Sequence, residues 1–143
     1  MKLVIQRVNS ASVTIENKLY SSINKGLLVL FGVEKDDKED MIEYFAQKLL
    51  KLRIFEDEQG KMNKSVLDIN GEILAVSQFT LCADCKKGTR PSFDSAKEPG
   101  VAKEYYEKFV EILKKSGINI KTGVFGAHMQ VELINNGPVT IIL

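Results

Sequence analysis

Apolar residues along this chain fall into short, Val- and Ile-rich runs broken by polar turns, with two longer stretches of helical period between them. Strands are expected at residues 2–8, 11–16, 26–33, 53–55, 72–79, 118–125, 129–134 and 139–143. Half-buried strands alternate with period two, and fully buried ones read as brief unbroken apolar runs. A first helix is expected over 37–52, with Met41, Ile42, Phe45, Leu49 and Leu52 on one face, acidic residues in its first turn and Lys48 and Lys51 near its end. That placement of charge suits the helix dipole. A second helix is expected over 99–115, with Val101, Ala102, Tyr105, Phe109, Ile112 and Leu113 as its apolar stripe and Ser116-Gly117 as its stop. On its outer face Glu104 with Lys108, and Glu111 with Lys115, alternate in sign, as a solvated helix surface does. The whole is a mixed α+β pattern without repeats or low-complexity segments.

Length and composition narrow this picture. A chain of 143 residues with 44% hydrophobic and 27% charged residues is expected to form a single domain over 1–143 and to bury roughly two-thirds of its unfolded surface. The longest apolar run, 27–33, is too short to span a bilayer, and Gln6 and Arg7 interrupt what would have to be a signal sequence. A cytoplasmic protein without membrane contact is expected. Twenty basic against nineteen acidic residues give no nucleic-acid signature in bulk. One loop, CKKGTRPSF, gathers Lys86, Lys87 and Arg90 against a single neighbouring carboxylate, Asp84, and could meet a phosphate or could simply be solvated.

Candidate chemistry is sparse. Cys82 and Cys85 have the spacing of a metal knuckle or redox pair, but zinc takes about four ligands and the chain has two cysteines and one histidine. Ordinary thiols and no metal or cofactor are expected. His128 is the lone histidine, and no G-x-S-x-G elbow supplies a nucleophile for it to activate. GVFGA lacks the Lys and Ser/Thr of a phosphate loop. Two stretches remain: SQFTL at 77–81, closing a strand, and NNGPVT at 135–140, where Gly137-Pro138 is expected to make a stiff bend between two strands.

Taken in order, SQFTL followed by AD, KGTRPSF, FGAxM and NxGPVT resembles the D-aminoacyl-tRNA deacylase family. QRVNSASV, GLLVLFGV, LRIFEDEQGKMN and the terminal VTI extend the likeness over nearly the full chain. The resemblance implies a compact α+β domain of curved, mostly antiparallel, barrel-like sheets with two main helices packed on one side. It also implies a homodimer whose two active sites lie at the subunit interface. The family commonly has Asp at the positions of Asn136 and His128 here, departures that alter local charge but not the backbone of the two motifs.

By the same resemblance, the Gly137-Pro138 bond is cis and the bend enters the partner's pocket. There, paired carbonyl oxygens hold the substrate's α-amino group and an L side chain collides with the bend. Ser77, Gln78, Phe79 and Thr80 are the expected catalytic segment, with backbone N–H groups around Phe79 and Thr80 as oxyanion donors and Met129 lining the amino-acid side. The expected substrate is tRNA carrying a D-amino acid, or glycine, at its 3′ end, in a hydrolytic proofreading step. A non-catalytic RNA-binding module is the alternative.

Overall fold

The spine of the fold is its first strand. In the computed structural model, which describes residues 1–143, β1 (Lys2–Ile15) runs through both of the strands expected at 2–8 and 11–16. The polar Asn9-Ser10 does not end it. Cross-strand partners step from Val8↔Asn135 to Ser10↔Ile134, so Asn9 is one extra residue, a β-bulge. The bulge reverses which side chains face inward. Leu3 and Ile5 enter the larger core, whereas Ala11 and Val13 enter a second, smaller one.

Glu16 and Asn17, with φ of 49° and 61°, turn the chain into β2 (Lys18–Ile23). Left-handed values at two successive residues are what a tight hairpin needs. No strand is expected here from sequence, because only Ile23 of this strand is buried while Leu19 and Tyr20 lie exposed. β3 (Gly26–Gly32) pairs with the first half of β1 and β2 with the second, both antiparallel. α1 (Met41–Leu50) is shorter than the expected 37–52, its flanks tightening into three-residue turns such as Met41 N–H to Lys38 O and Leu52 N–H to Leu49 O. A small two-stranded sheet follows, β4 (Phe55–Glu56) with β5 (Met62–Lys64).

β6 (Glu72–Ser77) joins β3 in parallel, a 3₁₀ turn (Phe79–Cys82) follows, and α2 (Pro99–Lys114) leads to β7 (Ile120–Thr122), which lies parallel to β6. β8 (Gln130–Ile142) covers the other edge of β1 and curls the sheet into a nearly closed barrel. The strands expected at 129–134 and 139–143 are therefore one, and NNGPVT lies inside it.

Two cores follow from the two faces of the sheet. Leu27, Val29, Phe31, Ile73 and Ala75 pack against both helices, and Phe31 stacks on Phe109 with centroids 4.5 Å apart. Leu28, Leu74 and Val76 point the other way, into the barrel, with Val8, Val13 and the partly buried Met129. The stripe of α2 is rotated from the expected one: Ala102, Tyr106, Phe109, Val110 and Leu113 are buried while Val101 is 37% exposed. Tyr106 gains by this rotation, since its hydroxyl donates to Ala75 O at 2.8 Å, and burial pushes its titration well above the ordinary phenol range. No helix is long and apolar enough to cross a membrane.

Candidate functional site

Strand β6 ends at Ser77, opposite Phe31 of β3, and the chain leaves the sheet with Gln78 N–H donating to Phe31 O at 2.8 Å. Phe79 is thus not the end of the strand, as expected from sequence, but the first residue of the 3₁₀ turn. Leu81 N–H bonds back to Gln78 O and Ala83 N–H to Thr80 O. The opening N–H groups of such a turn have no carbonyl behind them, which leaves those of Phe79 and Thr80 outside its bonding. Both residues are exposed. The Thr80 hydroxyl accepts from Gln78 Nε2 at 2.5 Å, and no histidine or carboxylate is bonded to it.

Met129 packs on the smaller core, which includes Val76 of β6. Val124 N–H donates to Met129 Sδ at 3.4 Å. A Cβ on Gly123 would stand 2.6 Å from the same sulfur and 3.8 Å from Val76 Cγ1, so this glycine is what lets the thioether lie beside the end of β6. Met129 is thus placed beside Gly123 and near Val76, one residue before the Ser77 that closes β6 and leads into Gln78, Phe79 and Thr80.

Gly137 and Pro138 do not join them. Gln6 pairs with Thr140 and Val8 with Asn135, so 136–139 form a four-residue protrusion opposite the single residue Arg7. The expected bend between strands is thus a large bulge within β8, its Gly137-Pro138 peptide cis and both residues exposed. Lys2, whose Nζ donates to Leu81 O at 3.3 Å, marks the position of the 3₁₀ turn on β1. Arg7 marks the bulge, five residues and about 16 Å of strand further on.

Arg7 is the residue that sequence reasoning missed. It is 5% exposed, donating from Nε to Asn136 O at 2.9 Å and from Nη1 to Ile54 O at 2.7 Å, with Glu56 Oε1 3.5 Å from Nη2. The bulge and the small β4–β5 sheet are tied to one guanidinium. A lone charge in the apolar run LVIQRV was the available signal, because buried charges are rare unless paired. Gly137 has φ +127°, and a Cβ there would meet Val139 Cγ2 at 2.8 Å and Arg7 Nη2 at 3.0 Å. Asn136 donates from Nδ2 to Asn9 Oδ1 at 2.7 Å, and His128 is exposed.

Cys82 and Cys85 are free. Cys82 is buried with its thiol against Val33 O at 3.3 Å, and burial pushes its pKa up, whereas Cys85 is exposed. No group of three or more His, Cys, Asp or Glu side chains is placed to hold a metal ion.

A nearly closed barrel with two helices on one flank, offering main-chain groups at a strand end and at a bulge, defines a small α+β protein whose candidate site is largely backbone. The chain belongs to the D-Tyr-tRNA(Tyr) deacylase family, whose pattern matches residues 4–143. A D-aminoacyl-tRNA deacylase of Aquifex aeolicus (strain VF5) is 58% identical over all of this chain and 97% of its own length. The protein of the same name in Thermosipho africanus (strain TCF52B) is 56% identical over all of this chain and 96% of its own. Among solved structures, one titled c-Myc DNA Unwinding Element Binding Protein superposes with a TM-score of 0.94 at 46% identity, covering 100% of this chain and 97% of that one.

Proposed function

We propose that two copies of this chain build each active site together, and that the site hydrolyses the ester linking a D-amino acid, or glycine, to the 3′-terminal ribose of tRNA. Family membership makes the chain a D-aminoacyl-tRNA deacylase, a hydrolase of the aminoacyl-tRNA ester. The composite site, the chiral mechanism, the glycine substrate and the cytoplasmic setting are our reading. The observation that carries it is the separation within one protomer. The 3₁₀ turn that follows Ser77 is tied to Lys2 of β1, while the exposed Gly137-Pro138 bulge stands opposite Arg7, about 16 Å further along that strand.

In the composite site, carbonyl oxygens of the partner's bulge accept from the substrate's α-amino group, which offers donors only. With the amine and the ester carbonyl both held, a D side chain extends into open space and an L side chain runs into the Gly137-Pro138 wall. Rejection of the correct product thus comes from a steric clash. An ester is already activated, so positioning and an oxyanion hole suffice without a strong nucleophile. The N–H groups of Phe79 and Thr80 stabilise the developing oxyanion, and the free 2′-hydroxyl of the terminal adenosine helps orient the attacking water. Ser77 and Gln78 shape the adenosine pocket, and Met129 lines the amino-acid side. Thr80 as a covalent nucleophile is the weaker version of the mechanism, since its hydroxyl accepts from the Gln78 amide and no base is bonded to it.

The test is amino-acid release by the purified protein from matched D- and L-aminoacyl-tRNA. Release from the D-substrate and from glycyl-tRNA, with the L-substrate left intact, is expected. Equal rates on D and L would remove the chiral mechanism, and tRNA binding without release would leave only the non-catalytic module.

A further inference from the structure

We propose that the hairpin 84–92 and the aromatic pair beside it form a platform for the unpaired nucleotides that precede the terminal adenosine of tRNA, with the rings stacking a base and three cations meeting phosphates. The proposal rests on the deacylase reading and extends it to how the RNA end is held. Asp84 and Ser92 close the hairpin with reciprocal backbone bonds of 2.8 and 2.9 Å, which places Lys86, Lys87 and Arg90 on its tip. Immediately outside it, Phe93 stands edge-on to Phe79, with ring centroids 5.0 Å apart and an angle of 61° between their planes. Phe79 is 56% exposed and Phe93 37%, so two large rings present apolar surface to solvent together.

The surrounding charge favours RNA as the occupant. None of the three cations takes part in the protein's ion pairs. The two local carboxylates take local hydrogen bonds, Asp84 Oδ1 accepting from Lys86 N–H at 2.9 Å within the hairpin and Asp94 Oδ2 from the Ser92 hydroxyl at 2.8 Å just outside it. Single-stranded RNA is held by this combination, bases on aromatic faces and backbone on cations, without need of sequence. Phe79 also opens the turn whose N–H groups the deacylase reading assigns to the ester, and its ring stands against Phe93 beside the hairpin, so an RNA end held at that site has the two rings next to it.

Steady-state kinetics on two substrates decide the matter: a D-aminoacyl minihelix with the full single-stranded 3′ end, and D-aminoacyl-adenosine. A variant carrying Lys86→Gln, Lys87→Gln and Arg90→Gln should raise KM for the minihelix about tenfold with kcat retained, and should flatten the salt dependence, since each lost phosphate contact removes about one unit of its slope. Phe93→Ala should raise the same KM about tenfold without touching the slope. Both variants should treat D-aminoacyl-adenosine as the parent does. Equal losses on both substrates, as a structural role or coverage by a partner copy would give, overturn the proposal, and so does an unchanged minihelix KM. If the parent protein hydrolyses neither substrate, it is the deacylase reading that fails.

Discussion

At the scale of single residues, backbone and side chain can be separated at Thr80. Thr80→Ala keeps the N–H and removes the hydroxyl, so deacylation should stay within about tenfold of the parent. Thr80→Pro removes the N–H in the first turn of a helix, where proline is tolerated, and should cost about a hundredfold or more in kcat, the usual loss for one oxyanion donor. A thousandfold loss in Thr80→Ala with the fold intact would instead be roughly 4 kcal/mol of transition-state stabilisation and would restore a nucleophile. Arg7 makes a different prediction. Arg7→Met fills the space but leaves Asn136 O and Ile54 O without their donor, and an unsatisfied buried group costs about 1–3 kcal/mol. Denaturant unfolding should register that loss, and kcat/KM on the D-substrate should fall further than stability alone explains, because the bulge loses its anchor. A stability unchanged in Arg7→Met would show that the guanidinium bonds contribute nothing net. Of these residues, sequence exposed SQFTL and Gly137-Pro138 through resemblance. Arg7 stayed hidden because its partners are carbonyls 47 and 129 positions away, which no local pattern records.

At the scale of elements, most strands and both helices were legible, since Val-rich runs and apolar stripes report burial directly. The breaks were not. Asn9-Ser10 and NNGPVT read as turns by local chemistry, yet both are bulges inside continuous strands, and only the cross-strand register distinguishes the two cases. β2 was missed for the opposite reason: its pairing with β1 is main-chain, and its exposed side chains carry no periodic signal. The start of α2 was legible as a position, though its cap was not identified. Glu98 accepts from Gly100 N–H and Val101 N–H at 2.9 and 3.0 Å, with Pro99 as the first helical residue. Those backbone bonds, Gly100 first, hold its carboxyl below the ordinary glutamate range. A folded-state value below the unfolded one means the stabilisation is fully present above the unfolded pKa and fades as pH falls through the folded one. Glu98→Ala should therefore lower the melting temperature by a few degrees at neutral pH, and the difference from the parent should vanish in acid below the folded value. A difference that persists at low pH would mean the side chain acts through something other than its charge.

At the scale of the whole molecule, the composite site we propose takes one half from the 3₁₀ turn after β6 and the other from the Gly137-Pro138 bulge of a second copy. An isologous two-fold dimer joins each half to the other half of its partner, twice. Sedimentation should accordingly give a species of about twice 16.0 kDa at working concentration. The resemblance implied a dimer, and the distance between Arg7 and Lys2 along β1 is the observation that favours the composite reading. Complementation tests it more sharply than mass does. Gly137→Ala places a methyl 2.8 Å from Val139 Cγ2 at φ +127° and damages the lent half, whereas Thr80→Pro damages the receiving half. Each homodimer should be nearly inactive. When the two variants are unfolded together and refolded, about half the dimers are mixed, and each mixed dimer contains one site with both halves intact, so about a quarter of parental activity should return. Refolded mixtures that stay as inactive as either variant alone, while sedimenting as dimers, would place the whole site within one chain and remove the composite mechanism.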